Sequence, residues 1–302
     1  MNNISELLDL GIEIKPNVLL KNKTWLGVGG CAEYYADVQD EQALRNILQF
    51  THKNNIPLTV LGAGSNVLIR DGGIKGIVIR LGKFFANIEV QENTLICGSA
   101  ALLPEIAKTA AYHNLSGFEF MSGIPGTLGG GLKTNAGAYG SDLGHIAVEI
   151  VSFDAQGNKH VYNPQQEEIF SYRLCKLSSD QVFVSVKLQG VVEHDNTQIL
   201  ACMQSYKEKR CATQPQGVRT AGSTFKNPPE DSAWKLLDEV GLRGYTDHGA
   251  QFSEKHPNFL INTGGASASD LERLIRLAQK KVLEKKGIQL ECEIKITGVE
   301  KQ

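Results

Sequence analysis

The residues with the clearest chemical potential lie between Gly123 and Gly140, where the chain reads GIPGTLGGGLKTNAGAYG. Seven of these positions are glycine, a residue that costs backbone entropy inside a helix or strand. A chain accepts that cost where its backbone approaches a ligand closely or adopts a positive φ. Backbone N–H groups in such a loop suit phosphate oxygens. We therefore expect a ligand-binding loop with no helix or strand interior; a flexible surface loop is the alternative.

Apolar residues threaded through this stretch, among them Ile124 and Leu128, argue against an ordinary linker, which favours serine and charge. The segment GTLGGGLKT, residues 126–134, comes close to the P-loop pattern G-x-x-x-x-G-K-[ST]. Leu132 displaces the lysine and threonine by one residue. Because that loop depends on fixed backbone geometry, the shift argues against an NTPase.

A second glycine-rich stretch, GAGSNVLIRDGG, covers residues 62–73. Gly62 and Gly64 form G-x-G, but Val67 occupies the third glycine position of a dinucleotide fingerprint, which must also open a helix. Strand-like VLI and IKGIVIRL follow instead, with Asp-Gly-Gly between them, so we expect a β-hairpin. The N–H groups of this turn, and its serine and asparagine side chains, suit a pyrophosphate; a tight hairpin without a ligand is the alternative.

Composition excludes several classes of function. The 302 residues are 41% hydrophobic and 21% charged with a net charge of -2, which gives no basic footprint for nucleic acid. The acidic start does not resemble a signal peptide, and no run reaches the roughly 20 apolar residues of a membrane span. Six scattered cysteines predict reduced thiols in the cytoplasm, and the histidine spacing indicates no metal site.

Periodicity indicates an α+β chain with a helix over 40–55 that has an acidic first turn, a helix over 101–114 and a hairpin turning at 156–158. A basic helical segment after residue 195 begins a new domain. Its long helix is expected to start at a capping box of Ser269 and Glu272 and to stop at Gly287. The apolar stripe expected on this helix consists of Leu271, Leu274, Ile275, Ala278 and Val282. A final alternating strand, 288–298, places Glu291 and Glu293 on the same polar face.

Six segments together resemble one family. They are GAGSNVLIRDGG, GIPGTLGGGLKTNAGAYG, SYR at 171–173, AGSTFKNP at 221–228, SEKHPNFLIN at 253–262 and LECEIKITG at 290–298. Between about residue 20 and residue 298 the chain closely resembles the UDP-N-acetylenolpyruvoylglucosamine reductases, flavoenzymes that complete UDP-N-acetylmuramate in peptidoglycan synthesis. Its length resembles the shorter class, which lacks an inserted tyrosine-bearing loop.

The resemblance implies a vanillyl-alcohol-oxidase-type (PCMH-like) FAD-binding fold of two subdomains, 1–82 and 83–195. A C-terminal α+β substrate domain, 196–302, would return its last strand to the active site. NADPH would reduce noncovalent FAD, whose N5 hydride would pass to UDP-N-acetylglucosamine enolpyruvate. We expect a cytoplasmic monomer acting on small molecules, without nucleic acid or membrane insertion. The alternatives are a catalytically silent flavin-binding module and a flavin oxidase on the same scaffold.

The family's motifs imply three catalytic residues around the flavin. Arg173 would stabilise the negative charge that hydride addition leaves beside the carboxylate, Ser223 would donate the proton, and Glu293 would assist. Taken alone, Arg173 also suits a surface ion pair and Ser223 a turn. Periodicity alone does not separate Glu293 from Glu291.

The remaining implied site residues bind cofactor or substrate. The cofactor residues are Gly62, Ala63, Gly64, Ser65, Asn66, Gly123, Pro125, Gly126, Gly129, Gly130, Asn135 and Gly137. The substrate residues are Tyr172, Lys226, Asn227, Arg210 and His256, although His256 equally suits hydrogen bonding in the turn before Pro257. The sequence departs from the family pattern at Cys175, where a small hydroxyl residue is usual, and at Lys133-Thr134.

Overall fold

A computed structural model describes residues 4–301, which fold into two compact units. The first unit comprises residues 4–16, 34–63 and 76–209. The second comprises residues 17–33, 64–75 and 210–301, so it is assembled from three separate segments of chain. The division into 1–82, 83–195 and 196–302 stays a prediction.

The helices are α1 Ser5–Asp9, α2 Glu41–Lys53, α3 Leu103–Tyr112, α4 Leu128–Lys133, α5 Leu143–Ile146, α6 Pro164–Glu167, α7 Thr197–Thr213, α8 Ala233–Glu239 and α9 Ala268–Lys286. Short 3₁₀ helices cover Leu20–Lys23, Lys83–Ala86 and Glu119–Gly123. The expected helices at 40–55 and 101–114 correspond to α2 and α3 and are confirmed.

The first strands are β1 Lys15–Leu19, β2 Cys31–Val38, β3 Leu58–Val60, β4 Val67–Ile69, β5 Ile74–Leu81, β6 Ile88–Gln91, β7 Thr94–Gly98, β8 Leu115–Ser116, β9 Gly137–Ala138, β10 Ser141–Asp142 and β11 Ala147–Phe153. They are followed by β12 Lys159–Tyr162, β13 Phe170–Ser171, β14 Leu174–Cys175, β15 Val182–Gln189, β16 Val191–Val192, β17 Arg219–Ser223, β18 Thr246–Asp247, β19 Ala250–Phe252, β20 Phe259–Asn262 and β21 Lys295–Thr297.

Two sheets build the first unit. One places β5 between β2 and β3, and β3 and β5 run parallel. The other is antiparallel with the order β12-β11-β15-β7-β6, and β11 and β12 form the hairpin expected around 156–158. Each sheet has its own buried apolar cluster, one centred on α2 and the other on α3 and α4.

The second unit packs α8 and α9 on the antiparallel sheet β17-β20-β19-β18. A separate parallel pair joins β4 to β21, with Leu68 opposite Ile296. The apolar stripe expected on α9 is buried, and Gly287 ends this helix in the left-handed conformation, φ +70°. The expected capping box is wrong by two residues, because Ser267 and Asp270 form it. The Asp71 carboxylate accepts the N–H groups of Ala268 and Ser269 at 3.0 and 2.9 Å, which stabilises the same helix end.

The expected hairpin in 67–81 is wrong. β4 and β5 are strands, but β4 pairs with β21 while β5 lies between β2 and β3. Most of β5 is buried, as a central strand requires, and its distant partners are invisible to local periodicity. The glycines between the strands serve a close approach instead, because a Cβ on Gly73 would clash with the Cys31 carbonyl oxygen.

The expectation of no helix within 123–140 is also wrong, because Leu128–Lys133 forms α4 despite three glycines. Thr127 caps it, accepting the Gly130 N–H at 3.4 Å. A Cβ on Gly131 would come within 2.9 Å of Leu143 and 3.2 Å of Leu103. This glycine therefore permits close packing that offsets its poor helix propensity.

The final strand is shorter than expected, since only Lys295–Thr297 forms β21. Before β21, the side chains of Leu290 and Ile294 are buried. Residues 288–294 form one isolated β-bridge, between Cys292 and Phe225. Among the helices described over residues 4–301, none is both long and apolar enough to cross a membrane.

Candidate active site

A cavity of about 180 Å³ in the first unit is walled by parts of both glycine-rich stretches. Its lining is Val60, Leu61, Gly62, Arg80, Leu81, Ser99, Ala100, Leu102, Thr127, Gly129, Gly130, Lys133, Gln181, Val182 and Phe183. A volume below the roughly 300–1,000 Å³ of a typical ligand pocket suits one portion of a dinucleotide rather than the whole molecule. The apolar side chains suit an uncharged ring, and Arg80 and Lys133 supply positive charge.

The glycines in this wall allow the two stretches to approach each other. A Cβ on Gly62 would lie 2.7 Å from the Thr127 hydroxyl, and one on Gly129 would lie 3.0 Å from the Ser99 Cβ. Gly130 meets nothing closer than 3.4 Å. Side chains at Gly62 and Gly129 would therefore push the walls apart.

Several hydrogen-bond donors of these walls lack a partner. Within residues 4–301, the backbone N–H groups of Gly62, Ala63, Gly126 and Thr127 donate to no protein acceptor, and the buried Ser99 hydroxyl also has none. Gly62, Ala63 and Gly126 are half-buried, so their N–H groups are open to water or to a ligand, and their position beside a cavity suits a ligand with acceptor oxygens. The phosphates of a dinucleotide meet that description.

In the second unit the 62–73 stretch continues through Gly64, Ser65 and Asn66. Gly64 has φ +71°, and a Cβ there would clash with the Lys23 carbonyl oxygen. The Asn66 amide donates to the Glu293 carbonyl at 3.4 Å, and the Asn66 carbonyl accepts the N–H of Lys295 at 3.0 Å. Asn66 thus lies directly against the chain that carries the predicted catalytic carboxylate.

The segments that carry Ser223 and Glu293 are adjacent in the second unit, where Thr224, the residue after Ser223, contacts Glu293. The Thr224 carbonyl accepts the N–H of Glu293 at 2.8 Å. Ser223 ends β17 after an irregularity in its pairing with β20, and Gly222, with φ +77°, turns the chain there. Two further backbone hydrogen bonds join the same two segments, from the Ile294 N–H to the Thr224 carbonyl at 3.3 Å and from the Lys226 N–H to the Glu291 carbonyl at 2.9 Å.

The structure distinguishes the two carboxylates that periodicity left equivalent. The Glu291 side chain is 73% exposed and pairs with Lys226 at 3.1 Å. Glu293 is half-buried. A carboxyl group with less access to water is the better candidate for acid–base work, since its electrostatic interactions are stronger there.

The other predicted substrate residues of the second unit have structural partners. Asn227 accepts the N–H of Ala233 at 3.0 Å at the start of α8. His256 lies edge-on to Phe259, with ring centroids 5.0 Å apart, and burial lowers the pKa of its imidazole. Arg210 lies in the last turn of α7.

Arg173 lies at the tip of the β13–β14 hairpin in the first unit, next to Tyr172, whose surface is 58% exposed. Its φ is +53°, at the second central position of a two-residue turn where glycine or asparagine is usual. A non-glycine residue in this region costs about 1–2 kcal/mol. The guanidinium donates from Nη2 to the Gly137 carbonyl at 3.0 Å and lies 5.4 Å from the Tyr172 ring centroid.

Asn135 joins the central loop to this hairpin. Its side chain is 3% exposed; Nδ2 donates to the Ser171 carbonyl at 3.1 Å, and Oδ1 accepts the Gly144 N–H at 2.8 Å. The loop therefore contacts the Arg173 hairpin twice, through Asn135 and through the Gly137 carbonyl. Of the other predicted cofactor residues, Gly123 ends a 3₁₀ helix and Pro125 follows it.

Comparison with known proteins decides the family. Residues 32–158 match the family model described as an FAD binding domain, and residues 214–297 match that of the UDP-N-acetylenolpyruvoylglucosamine reductase C-terminal domain. The UDP-N-acetylenolpyruvoylglucosamine reductase of Rickettsia rickettsii (strain Sheila Smith) is 45% identical over 287 residues, covering 95% of this chain and 96% of the relative. The chain belongs to the UDP-N-acetylenolpyruvoylglucosamine reductase family.

A second relative and a crystal structure support the same family assignment. The reductase of the same name from Rhodospirillum rubrum is 43% identical over 291 residues, covering 95% of this chain and 90% of the relative. The crystal structure of the Thermus caldophilus enzyme superposes with a TM-score of 0.82 at 35% identity, covering 94% of this chain and 99% of that one. The expected family, FAD-binding α+β fold, oxidoreductase class and FAD cofactor are confirmed. The roles of Arg173, Ser223 and Glu293 stay predictions.

Sequence reasoning missed three residues of these sites. Ser99 follows a strand and gave no signal of its own. Thr224 lies inside the segment AGSTFKNP, but it contributes its backbone carbonyl, which no side-chain pattern reveals. Tyr139 lies in the turn of the β9–β10 hairpin, whose Gly137 carbonyl accepts from Arg173. A bulky residue directly before Gly140 is an anomaly that the sequence does display.

Proposed function

We propose that this chain reduces UDP-N-acetylglucosamine enolpyruvate to UDP-N-acetylmuramate in peptidoglycan precursor synthesis, with NADPH as the reductant. FAD, when bound, would supply the hydride chemistry that links NADPH to the enolpyruvyl double bond. The unpaired N–H groups of Gly62, Ala63, Gly126 and Thr127 support phosphate binding by this chain, and Ser99 is a further donor in the same cavity. We also propose a cytoplasmic monomer that acts on small molecules alone.

The chain's own residues supply a proton and charge stabilisation. Addition of a hydride to the terminal vinyl carbon breaks the π bond and leaves a carbanion equivalent beside the substrate carboxylate. Arg173 is assigned to this negative charge, because a cation in a water-poor site stabilises it most. Ser223 is assigned to give its hydroxyl proton to the second carbon, with Glu293 as the assisting carboxyl group.

One observation carries this assignment: the Thr224 carbonyl holds the Glu293 backbone by a hydrogen bond of 2.8 Å. A hydroxyl and a half-buried carboxyl group on adjoining segments are the pair that proton donation needs. The Glu291 side chain is more exposed than Glu293 and pairs with the Lys226 ammonium group. The Ser223–Glu293 pair also argues against a silent flavin-binding module, which would have no need to keep it.

The Ser223→Ala variant tests the proposal in two half-reactions. We expect anaerobic NADPH to bleach the flavin of this variant nearly as fast as that of the wild type. Reoxidation by the enolpyruvyl nucleotide should slow by roughly 10²-fold or more, since the proton donor is missing. Ser179→Ala, which changes an exposed serine, is the matched control.

Three results would count against the proposal. Equal loss in both half-reactions would remove Ser223 from the donor role. Reduction without any reoxidation by the nucleotide in the wild-type protein would favour the silent module. Flavin reduction by an alcohol, followed by reoxidation with oxygen, would favour the oxidase.

A further inference from the structure

We propose that Tyr139 is a positioning residue for Arg173, holding the short hairpin whose Gly137 carbonyl orients the guanidinium. This inference rests on the proposed function, because it gives Tyr139 a part in the reaction only if Arg173 stabilises charge there. The residues whose contacts carry it all lie within the first unit.

The hairpin is β9–β10, in which Gly137 pairs with Asp142 and Ala138 with Ser141. Its two-residue turn consists of Tyr139 and Gly140, with φ +56° and +87°. Positive φ at both central positions defines a type of hairpin turn in which asparagine or aspartate followed by glycine is the usual pair. A tyrosine at the first position is strained, so other contacts must hold it there.

Those contacts are made with Tyr206 of α7. The two aromatic rings are stacked, with centroids 3.9 Å apart and planes 8° from parallel. The Tyr139 hydroxyl donates to the Tyr206 backbone carbonyl at 2.9 Å. The turn is therefore held to the backbone of a helix by a stack and a hydrogen bond, which we call the tyrosine clasp.

The clasp and the arginine contact share one rigid piece of chain. Gly137 lies two residues from Tyr139, and its carbonyl accepts from Arg173 Nη2 at 3.0 Å. A Cβ on Gly137 would lie 2.5 Å from the Asp142 Cβ, so the two strands touch closely at this point. Displacement of the turn must therefore move the Gly137 carbonyl as well.

Orientation matters because charge stabilisation depends on groups that are already in place before the reaction. Arg173 has a long side chain, and its backbone is itself in the left-handed region. The Gly137 carbonyl fixes one end of the guanidinium plane. Without the clasp, the hairpin and the guanidinium gain freedom, and part of the preorganisation is lost.

The test compares the two half-reactions in Tyr139→Phe and Tyr139→Gly holoenzymes. Phenylalanine keeps the stack and loses the hydrogen bond, whereas glycine loses both but fits the turn. We expect flavin reoxidation by the enolpyruvyl nucleotide to slow about threefold in the first and about tenfold or more in the second, with reduction by NADPH within about twofold of wild type. Tyr112→Phe, at a tyrosine that is 80% exposed, is the matched control.

A double-mutant cycle with Arg173→Ala separates positioning from a general structural effect. If Tyr139 acts through Arg173, Tyr139→Gly adds no further slowing once Arg173 is alanine. Tyr206→Leu removes the stacked ring that faces Tyr139 and keeps the backbone carbonyl that accepts the Tyr139 hydroxyl. This variant should also slow flavin reoxidation by the enolpyruvyl nucleotide. This variant keeps the test decisive if Tyr139→Gly folds poorly.

The proposal is overturned if Tyr139→Gly slows reoxidation equally in the wild-type and Arg173→Ala backgrounds, or if neither Tyr139→Gly nor Tyr206→Leu slows it. In either case a large effect of Arg173→Ala alone would leave the proposed function intact. If Arg173→Ala itself leaves reoxidation unchanged, the assignment of Arg173 fails, and the role of Tyr139 fails with it.

Discussion

Replacement of Asn135 tests whether this residue is a structural tie or a cofactor contact. The side chain accepts from the Gly144 N–H and donates to the Ser171 carbonyl, and it is 3% exposed. Its removal leaves two backbone groups without partners, each costing about 1–3 kcal/mol when fully buried. Because both hydrogen bonds are only partly buried, we expect Asn135→Gly to lose about 2–4 kcal/mol in the free energy of unfolding, the lower part of the summed range.

The alanine variant adds a second contribution. Asn135 has φ +42°, a conformation that asparagine and glycine tolerate and alanine does not. Asn135→Ala should therefore be about 1–2 kcal/mol less stable than Asn135→Gly. The difference between the two variants isolates backbone strain from the lost hydrogen bonds.

Thermal unfolding of the holoenzyme, followed by circular dichroism and flavin fluorescence, measures these losses. At about 2–4 °C per kcal/mol, Asn135→Gly should lower the midpoint by about 5–15 °C. Asn93→Ala is the control, since that side chain is exposed and makes no hydrogen bond within residues 4–301. An unchanged midpoint combined with a large fall in FAD affinity would refute the structural interpretation and support direct contact with the cofactor.

Two further predictions concern charged side chains. Arg70→Met removes a two-point contact with Glu272, 2.9 Å at each nitrogen, and should cost about 1.5–3 kcal/mol of unfolding free energy at pH 7. The hydrogen bond from Arg70 lowers the pKa of Glu272, so the stabilisation is present above the unfolded value of about 4.3 and is lost as pH falls through the lower folded pKa. Urea titrations in which the gap between variant and wild type does not shrink as pH falls well below the unfolded value would contradict this. Lys133→Met should weaken FAD binding to apoprotein about 3- to 10-fold and flatten its salt dependence, because a cation on the cavity wall attracts phosphate; an unchanged salt slope in fluorescence titrations would show that Lys133 does not act on the phosphates.

Sequence patterns predicted most of the helices and turns that depend on residues close together in the chain. The stripe on α9, the acidic start of α2 and the turn at 156–158 all depend on residues within a few positions of one another, and all are confirmed. The wrong predictions concern elements whose partners lie far away in the sequence. β4 looked like half of a hairpin because its partner, β21, lies near the other end of the chain.

The same distinction between local and distant determinants applies to the candidate site. Glycine density located both stretches that wall the cavity, because close approach and positive φ select for glycine wherever they occur. The three catalytic assignments came from the family resemblance, since a single arginine, serine or glutamate has no periodicity. Only the folded second unit separates Glu293 from Glu291, and this separation arises from burial and from the Lys226 ion pair.

The three-segment construction of the second unit has a consequence for synthesis of the protein. Translation releases β4 long before its parallel partner β21, because Val67 of β4 pairs with Lys295 of β21. For most of that time the exposed edge of β4 is a site for wrong pairing. A strand of only three residues with Gly64 before it and Gly72 after it offers little edge to a foreign chain. The brevity of β4 thus limits the edge available for wrong pairing in the nascent polypeptide.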